Sequence, residues 1–224
     1  MGLFDFAYAP IEASRAQLST VSNNLANMQT LGFKSQSLFM MQPTDFSDSF
    51  GTIEDRLPTH NHAFNLSQGA LRETGRELDI ALASSGHFLL MTEGRPIPTR
   101  DGRFEVSIDG LLVSSDGFPV MSASMDLIQL ETANIEIGDD GRVFDDGRLV
   151  ATLGVFELDE AGGNVLSQDQ VTTAQGYVED SNVDLAANMT AMMQAMRDAE
   201  MGATLLRTYN SLLGQAIQTF GNGG

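Results

Sequence analysis

Two stretches with a helical period bracket a long run of short apolar segments. Ile11, Ser14, Leu18, Val21, Leu25 and Met28 recur at alternating steps of three and four, the repeat that lays one stripe of an α-helix against a partner. Pro10 suits the first turn of that helix, where its missing N–H is no loss. Thr30-Leu31-Gly32 then offers a glycine able to close the helix near Asn27 in the left-handed conformation, after which Phe33 and Lys34 begin an extended or loop segment. At the other end, Leu185, Met189, Met192, Met196, Ala199, Ala203, Leu206, Asn210, Leu213, Ile217 and Phe220 step four and three apart, with Asn210 the one polar member. Ser181 and Asp184 make an N-cap pair ahead of it. A helix of that length spans about 50 Å, more than a small β domain needs for its own cover.

Between the helices the period changes. Leu78 to Leu82, His87 to Met91, Phe104 to Ile108, Leu111 to Ser114, Leu127 to Glu131, Ile135 to Ile137 and Leu149 to Leu158 read as strands. The dipeptides Asp101-Gly102, Asp109-Gly110, Asp116-Gly117, Asp140-Gly141 and Asp146-Gly147 read as hairpin turns between them. Short strands at such spacing suit a compact antiparallel barrel or sandwich rather than a parallel sheet with crossover helices. Residues 35–68, with Pro43, Pro58 and no sustained period, read as a linker. The expected organisation is an N-terminal helix and hinge over 1–34, that linker, an all-β domain over 69–176, and a C-terminal helix over 177–224. Both helical stripes exceed what one chain can bury, and methionine and alanine favour shallow, adaptable contacts with partners. The alternative is an antiparallel helix pair closed on itself.

Composition narrows the function classes. The 224 residues hold 12 basic against 30 acidic side chains, a formal charge of −18, which removes the Lys/Arg neutralisation that phosphate backbones and anionic lipids demand. Acid concentrates between Asp126 and Asp184, where only Arg142 and Arg148 are basic, as a solvated face. With no cysteine, disulfides and thiolate metal sites are excluded and the redox compartment stays open. The start of the chain lacks the basic, apolar and small-residue pattern of a secretory signal, and no apolar run approaches the ~20 residues of a membrane span.

Site chemistry is thin. His60 and His62 sit in the linker and His87 in the β region, so a three-histidine metal site would need the linker to fold over the strands. Asp139-Asp140-Gly141 and Asp145-Asp146-Gly147 lack the alternating oxygen ligands and distal glutamate of a calcium loop, and turns explain them. Ser85-Gly86-His87 is too local to build a nucleophile and base. No cofactor and no enzymatic activity are expected, which leaves an assembly subunit, with a soluble binding module as the rival class.

Three stretches carry a family resemblance. Ser22-Asn23-Asn24-Leu25-Ala26-Asn27-Met28-Gln29-Thr30-Leu31-Gly32-Phe33-Lys34 resembles the N-terminal signature of flagellar rod and hook proteins. Gln68-Gly69-Ala70-Leu71, Thr74-Gly75, Leu78-Asp79-Ile80-Ala81 and Thr99-Arg100-Asp101-Gly102-Arg103-Phe104 resemble their β-domain signature. Gln175-Gly176-Tyr177-Val178-Glu179-Asp180-Ser181-Asn182-Val183, followed by a helix with Arg197 and Glu200, resembles their C-terminal signature. The sequence departs from the pattern at Ser84-Ser85-Gly86-His87-Phe88 and at Pro98.

The resemblance implies an axial structural subunit of the bacterial flagellum, nearest the proximal rod proteins that carry a β domain, with distal rod or hook-type proteins as the alternative. It further implies export without a cleaved signal through the flagellar type III apparatus, residence in the basal-body rod across the periplasm, and partnership with copies of itself and other rod subunits. The expected assembly positions are Ile11, Leu18, Val21, Leu25 and Met28 on the first helix, and Leu185, Met189, Met192, Met196, Ala199, Ala203, Leu206, Leu213 and Ile217 on the last. Asn27, Thr30, Gly32, Phe33 and Lys34 are the expected hinge.

Overall fold

A computed structural model describes residues 3–41, 59–92, 94–132, 134–157, 164–165 and 170–221. The chain divides into two compact units, one holding residues 1–28, 35–65 and 183–224, the other 29–34 and 66–182.

The first unit is mainly helical. Helix α1 covers Leu3–Ala26 and α2 covers Leu185–Gly221. Helix α1 thus begins ahead of Pro10 and not at it. Residues 3–9 contain no glycine, proline or β-branched side chain to stop a helix, and they propagate it through the proline at the loss of one main-chain donor. The helix ends as expected, in a turn that closes at Gly32 with φ of 67°. Asp184 caps α2 by accepting from Ala187 N–H at 3.0 Å. Part of the stretch read as a linker is ordered: β1 (Gln36–Met41) pairs antiparallel with β2 (Thr59–Phe64). Neither strand alternates polar and apolar positions, Gln36–Met41 ending in four apolar residues in a row, so this ribbon has no period to read from the sequence. Pro43 and Pro58 lie between the strands, outside the described residues.

The second unit is a set of small antiparallel sheets around a main core, with a smaller buried cluster of Leu89, Met121 and Phe156. In order, its strands are β3 (Leu71–Glu73), β4 (Ile80–Leu82), β5 (His87–Thr92), β6 (Arg95–Thr99), β7 (Phe104–Val106), β8 (Leu112–Ser114), β9 (Ile135–Ile137) and β10 (Arg142–Asp145). There follow β11 (Arg148–Thr152), β12 (Val155–Glu157), β13 (Asn164–Val165), β14 (Thr173–Gln175) and β15 (Tyr177–Glu179). The sheets run β13-β12-β5-β6, β11-β10-β9, β14-β4, β15-β3 and β7-β8, and no sheet closes into a barrel among the described residues. The core joins Ile80, Leu82, Phe88, Phe104, Leu112, Ile128, Val143, Leu153 and Val155, with Phe88 and Phe104 edge to face at 5.1 Å between ring centres.

Turn chemistry follows the glycines at most of the expected positions. Gly110, Gly117, Gly141 and Gly147 have positive φ, and Asp146 joins Gly147 at 48°, the pair a type I′ hairpin turn needs. Asp101-Gly102 is the exception. Gly102 stands where the Ile80 carbonyl oxygen would lie 1.7 Å from any β-carbon, so the glycine serves close approach and not a turn. Leu127 to Glu131 does not form a strand. It makes only single bridges, Leu127 with Met121 and Gln129 with Leu111. The run from Leu149 is broken at Leu153-Gly154, between β11 and β12.

Strand β6 holds two prolines yet pairs fully with β5, Pro98 opposite Leu89 and Pro96 opposite Met91. Met91 N–H donates to Pro119 and the Leu89 carbonyl accepts from Met121. Both β5 residues therefore spend their main-chain groups away from β6, and the two facing prolines turn their ring nitrogens to the outer edge.

Candidate assembly surfaces

The helix pair is antiparallel, because Asn24 meets Asn188 while Ile11 meets Gly202. The α2 side of the contact is small: Ala195 and Gly202 are buried and Ala199 and Ala203 half-buried. Small side chains let two backbones approach, and at Gly202 a β-carbon would stand 2.6 Å from Ile11 Cγ1. On α1 the facing stripe includes Ser14, Val21 and Asn24, all buried. Asn24 is the polar hub of the unit. Its Nδ2 donates to Gln36 O at 2.8 Å and to Asn188 Oδ1 at 3.0 Å, and its Oδ1 accepts from Gln36 N–H at 2.8 Å. Asn188 Nδ2 in turn donates to Asp184 O, at the cap of α2.

The expected seam residues divide into two sets. Ile11, Leu18, Leu25, Met192, Ala199, Ala203 and Leu206 are half-buried and Val21 is buried. Met28, Leu185, Met189, Met196 and Leu213 are exposed, Met196 at 51% and Leu185 at 43%, and the Ile217 side chain lies outside the described residues. Met193 joins the exposed set at 54%. Leu185, Met189, Met193 and Met196 follow the i, i+4, i+8, i+11 spacing of one helix face, beside the small-residue face that meets α1. Further along α2, Met201, Leu205 and Leu212 are also exposed.

Of the expected hinge, Asn27 folds back on α1, its N–H and Nδ2 both donating to Asn23 O. Phe33 N–H bonds to Thr30 O. Gly32 and Lys34 are held within the β unit: Gly32 N–H donates to Glu179 O at 2.7 Å, and Lys34 Nζ lies 2.6 Å from Glu179 Oε1. Glu179 is 1% exposed and also receives Arg100 Nη1 at 3.1 Å. Glu179 and Arg100 were not among the expected site residues. A carboxylate at the end of a short strand reads as a solvent-facing position, and its partners are 145 and 79 residues distant.

His87 sits near this cluster, its pKa pushed below 6.5 first by burial and then by the Arg100 and Lys34 charges. Among the described residues neither His87 Nδ1 nor Arg100 Nε has a hydrogen-bond partner. His62 Nδ1 lies 3.4 Å from Thr20 Oγ1, and the His60 side chain is outside the described residues. No helix of the described residues is long and apolar enough to cross a membrane.

Three family models cover these elements in order: "Flagella basal body rod protein" over 12–34, "Flagellar hook protein FlgE/F/G D1 domain" over 81–144 and "Flagellar basal body rod FlgEFG protein C-terminal" over 174–219. The chain is 30% identical over 227 residues to the flagellar basal-body rod protein FlgF of Rhizobium meliloti, with 93% of each chain covered. It is also 30% identical to FlgF of Mesorhizobium japonicum, over 97% of this chain and 98% of that one.

The chain belongs to the flagellar basal-body rod protein family.

Within that family it is of the F type, a structural rod subunit. A rod protein named FlgG, from Buchnera aphidicola, is 28% identical over 93% of this chain. The models place the rod-family N-terminal signature on α1 from residue 12 and on the Gly32–Lys34 turn, and the C-terminal signature on β14, β15 and α2. Glu179 and Lys34 thus both fall inside rod-family signatures.

Proposed function

We propose that this rod subunit polymerises through its two terminal helices, with neighbouring subunits, whether copies of itself or other rod proteins, covering the apolar face that α2 leaves bare. The observation that carries this reading is the exposed run Leu185, Met189, Met193 and Met196. Four large apolar side chains on one face of a solvent-facing helix are stabilised only when something covers them. Methionine fits a contact repeated in slightly different settings, because its flexible thioether adapts to each. In the assembled rod the helices form a coiled-coil-like core, the β unit stands outside it, and Asn27 to Lys34 join the two. Export proceeds through the flagellar type III apparatus without a cleaved signal, and the rod that receives the subunit crosses the periplasm.

Met196→Lys against Gln194→Lys tests the reading. Both positions are exposed in the single chain, so neither change should lower the melting temperature of the free protein. An ammonium buried without a partner costs several kcal/mol at each subunit contact. The Met196 variant should therefore be absent from purified basal bodies by immunoblot while the Gln194 variant is present. Equal incorporation of both would sink the assignment of this face.

A further inference from the structure

Residues 29–34 follow α1 in sequence but are compact with the β strands. The Gly32 turn lies on the main chain of that unit: a β-carbon at Gly32 would stand 2.4 Å from Arg100 C and 2.6 Å from Asp101 N. Phe33 O accepts from Asn182 N–H. The chain re-enters the β unit at residue 66 and leaves it after Asn182. Three segments, 29–34, 66–69 and 179–182, therefore carry every passage into and out of the unit.

All three converge on one carboxylate. Glu179 Oε1 accepts from Lys34 Nζ and, at 2.9 Å, from Gly69 N–H, while Oε2 meets Arg100. Lys34 Nζ also donates to Ser67 O at 2.8 Å, as does Asn182 Nδ2. Gly69 has no room for a side chain, since its β-carbon would fall 1.9 Å from Asp180 O. Lys34, Arg100 and Glu179 are each at least nine-tenths buried, so water does not substitute for any of these contacts.

We infer that Glu179 is a positioning residue that clasps the three chain passages of the β unit, making the Gly32–Lys34 turn an anchor rather than a bending element. The three passages are then held fixed within the β unit. For rod assembly this deepens the reading above and rests on it. The clasp itself does not.

Amide exchange on the full-length free chain tests the clasp. In Lys34→Met, exchange in 29–34 and 66–69 should rise about tenfold or more, while peptides over 104–114 and 135–145 stay near wild type, a local rather than a global opening. Glu179→Gln should loosen the same segments and 179–182 as well. Wild-type exchange in 29–34 for both variants would overturn the clasp. A uniform rise through the core peptides in both would overturn it too, by making the cluster a general stability element.

Basal-body immunoblots form the second arm. Both variants should incorporate poorly, and normal incorporation of a chain with loosened passages would overturn the link to assembly. Absence of the wild-type chain from basal bodies would count instead against the rod reading and leave the exchange result standing.

Discussion

Gly202 faces Ile11 so closely that an added β-carbon would lie 2.6 Å from Ile11 Cγ1. Gly202→Leu gains about 0.8 kcal/mol of helix propensity and loses about 1 to 3 kcal/mol by overpacking. We expect a net loss of about 0.2 to 2 kcal/mol, read as faster amide exchange from Met189 to Leu206 and a lower helical melt. A more stable helix pair would mean that α1 and α2 do not meet at this point in solution.

Gly32 and Gly75 share a positive φ, 67° and 70°, yet only Gly32 is enclosed, for nothing lies within 4 Å of a β-carbon at Gly75. Gly75→Ala should cost about 1 to 2 kcal/mol of backbone strain alone. Gly32→Ala adds displacement of the Arg100 main chain and should cost about 2 to 5 kcal/mol in all. Chemical denaturation of the two variants checks the ordering, and swimming assays should show the larger defect for Gly32→Ala. Equal destabilisation would remove the close approach.

Asp145 accepts from Thr132 Oγ1 and from the N–H groups of Glu131 and Thr132, which holds its carboxyl below the ordinary 3.8. A lowered folded pKa gives stability that is complete above the unfolded value and is lost as pH falls through the folded one. Protection of the Glu131 and Thr132 amides should persist to below pH 3.8 and then fail. Asp145→Asn should lose that protection at neutral pH, with nuclear magnetic resonance following both amides.

His87 works in the opposite chemical sense with the same sign. Its pKa is lowered from 6.5, mainly by burial and then by the Arg100 and Lys34 charges, so the unfolded chain binds this proton first. Stability is full above 6.5 and declines as pH falls from there toward the folded value. His87→Leu should flatten the stability profile below 6.5. An unchanged profile would show that His87 titrates normally.

The helices were legible because their periods are long and their ends are marked by Asp184 and Gly32. The facing of α1 was legible as well, since Ser14 and Val21 of its stripe are buried, but that of α2 only in part. A step of three and four selects Met189 and Met196 as readily as Ala195 and Gly202, and hydrophobicity favours the larger side chains. Packing favours the small ones, because backbones close up over alanine and glycine. The β region was legible at most of its turns, where aspartate-glycine pairs need positive φ, and less so at Leu127 to Glu131, where Ile128 and Leu130 are buried but only single bridges form. The Glu179 cluster was not legible. Nothing local to Lys34, Arg100 or Glu179 announces burial, and the pairing exists only once chain passages far apart in sequence meet.

The prolines of β6 bear on what kind of polymer this chain can form. Two modes of self-association are open to a chain with helices and strand edges, side by side through the helices or edge to edge through the strands. The second leads to fibrils. At the free rim of the β5–β6 ribbon, the positions that would donate to an incoming strand are Pro96 and Pro98, which have no hydrogen to give. The rim there offers acceptors without donors, which disfavours growth by strand addition along it.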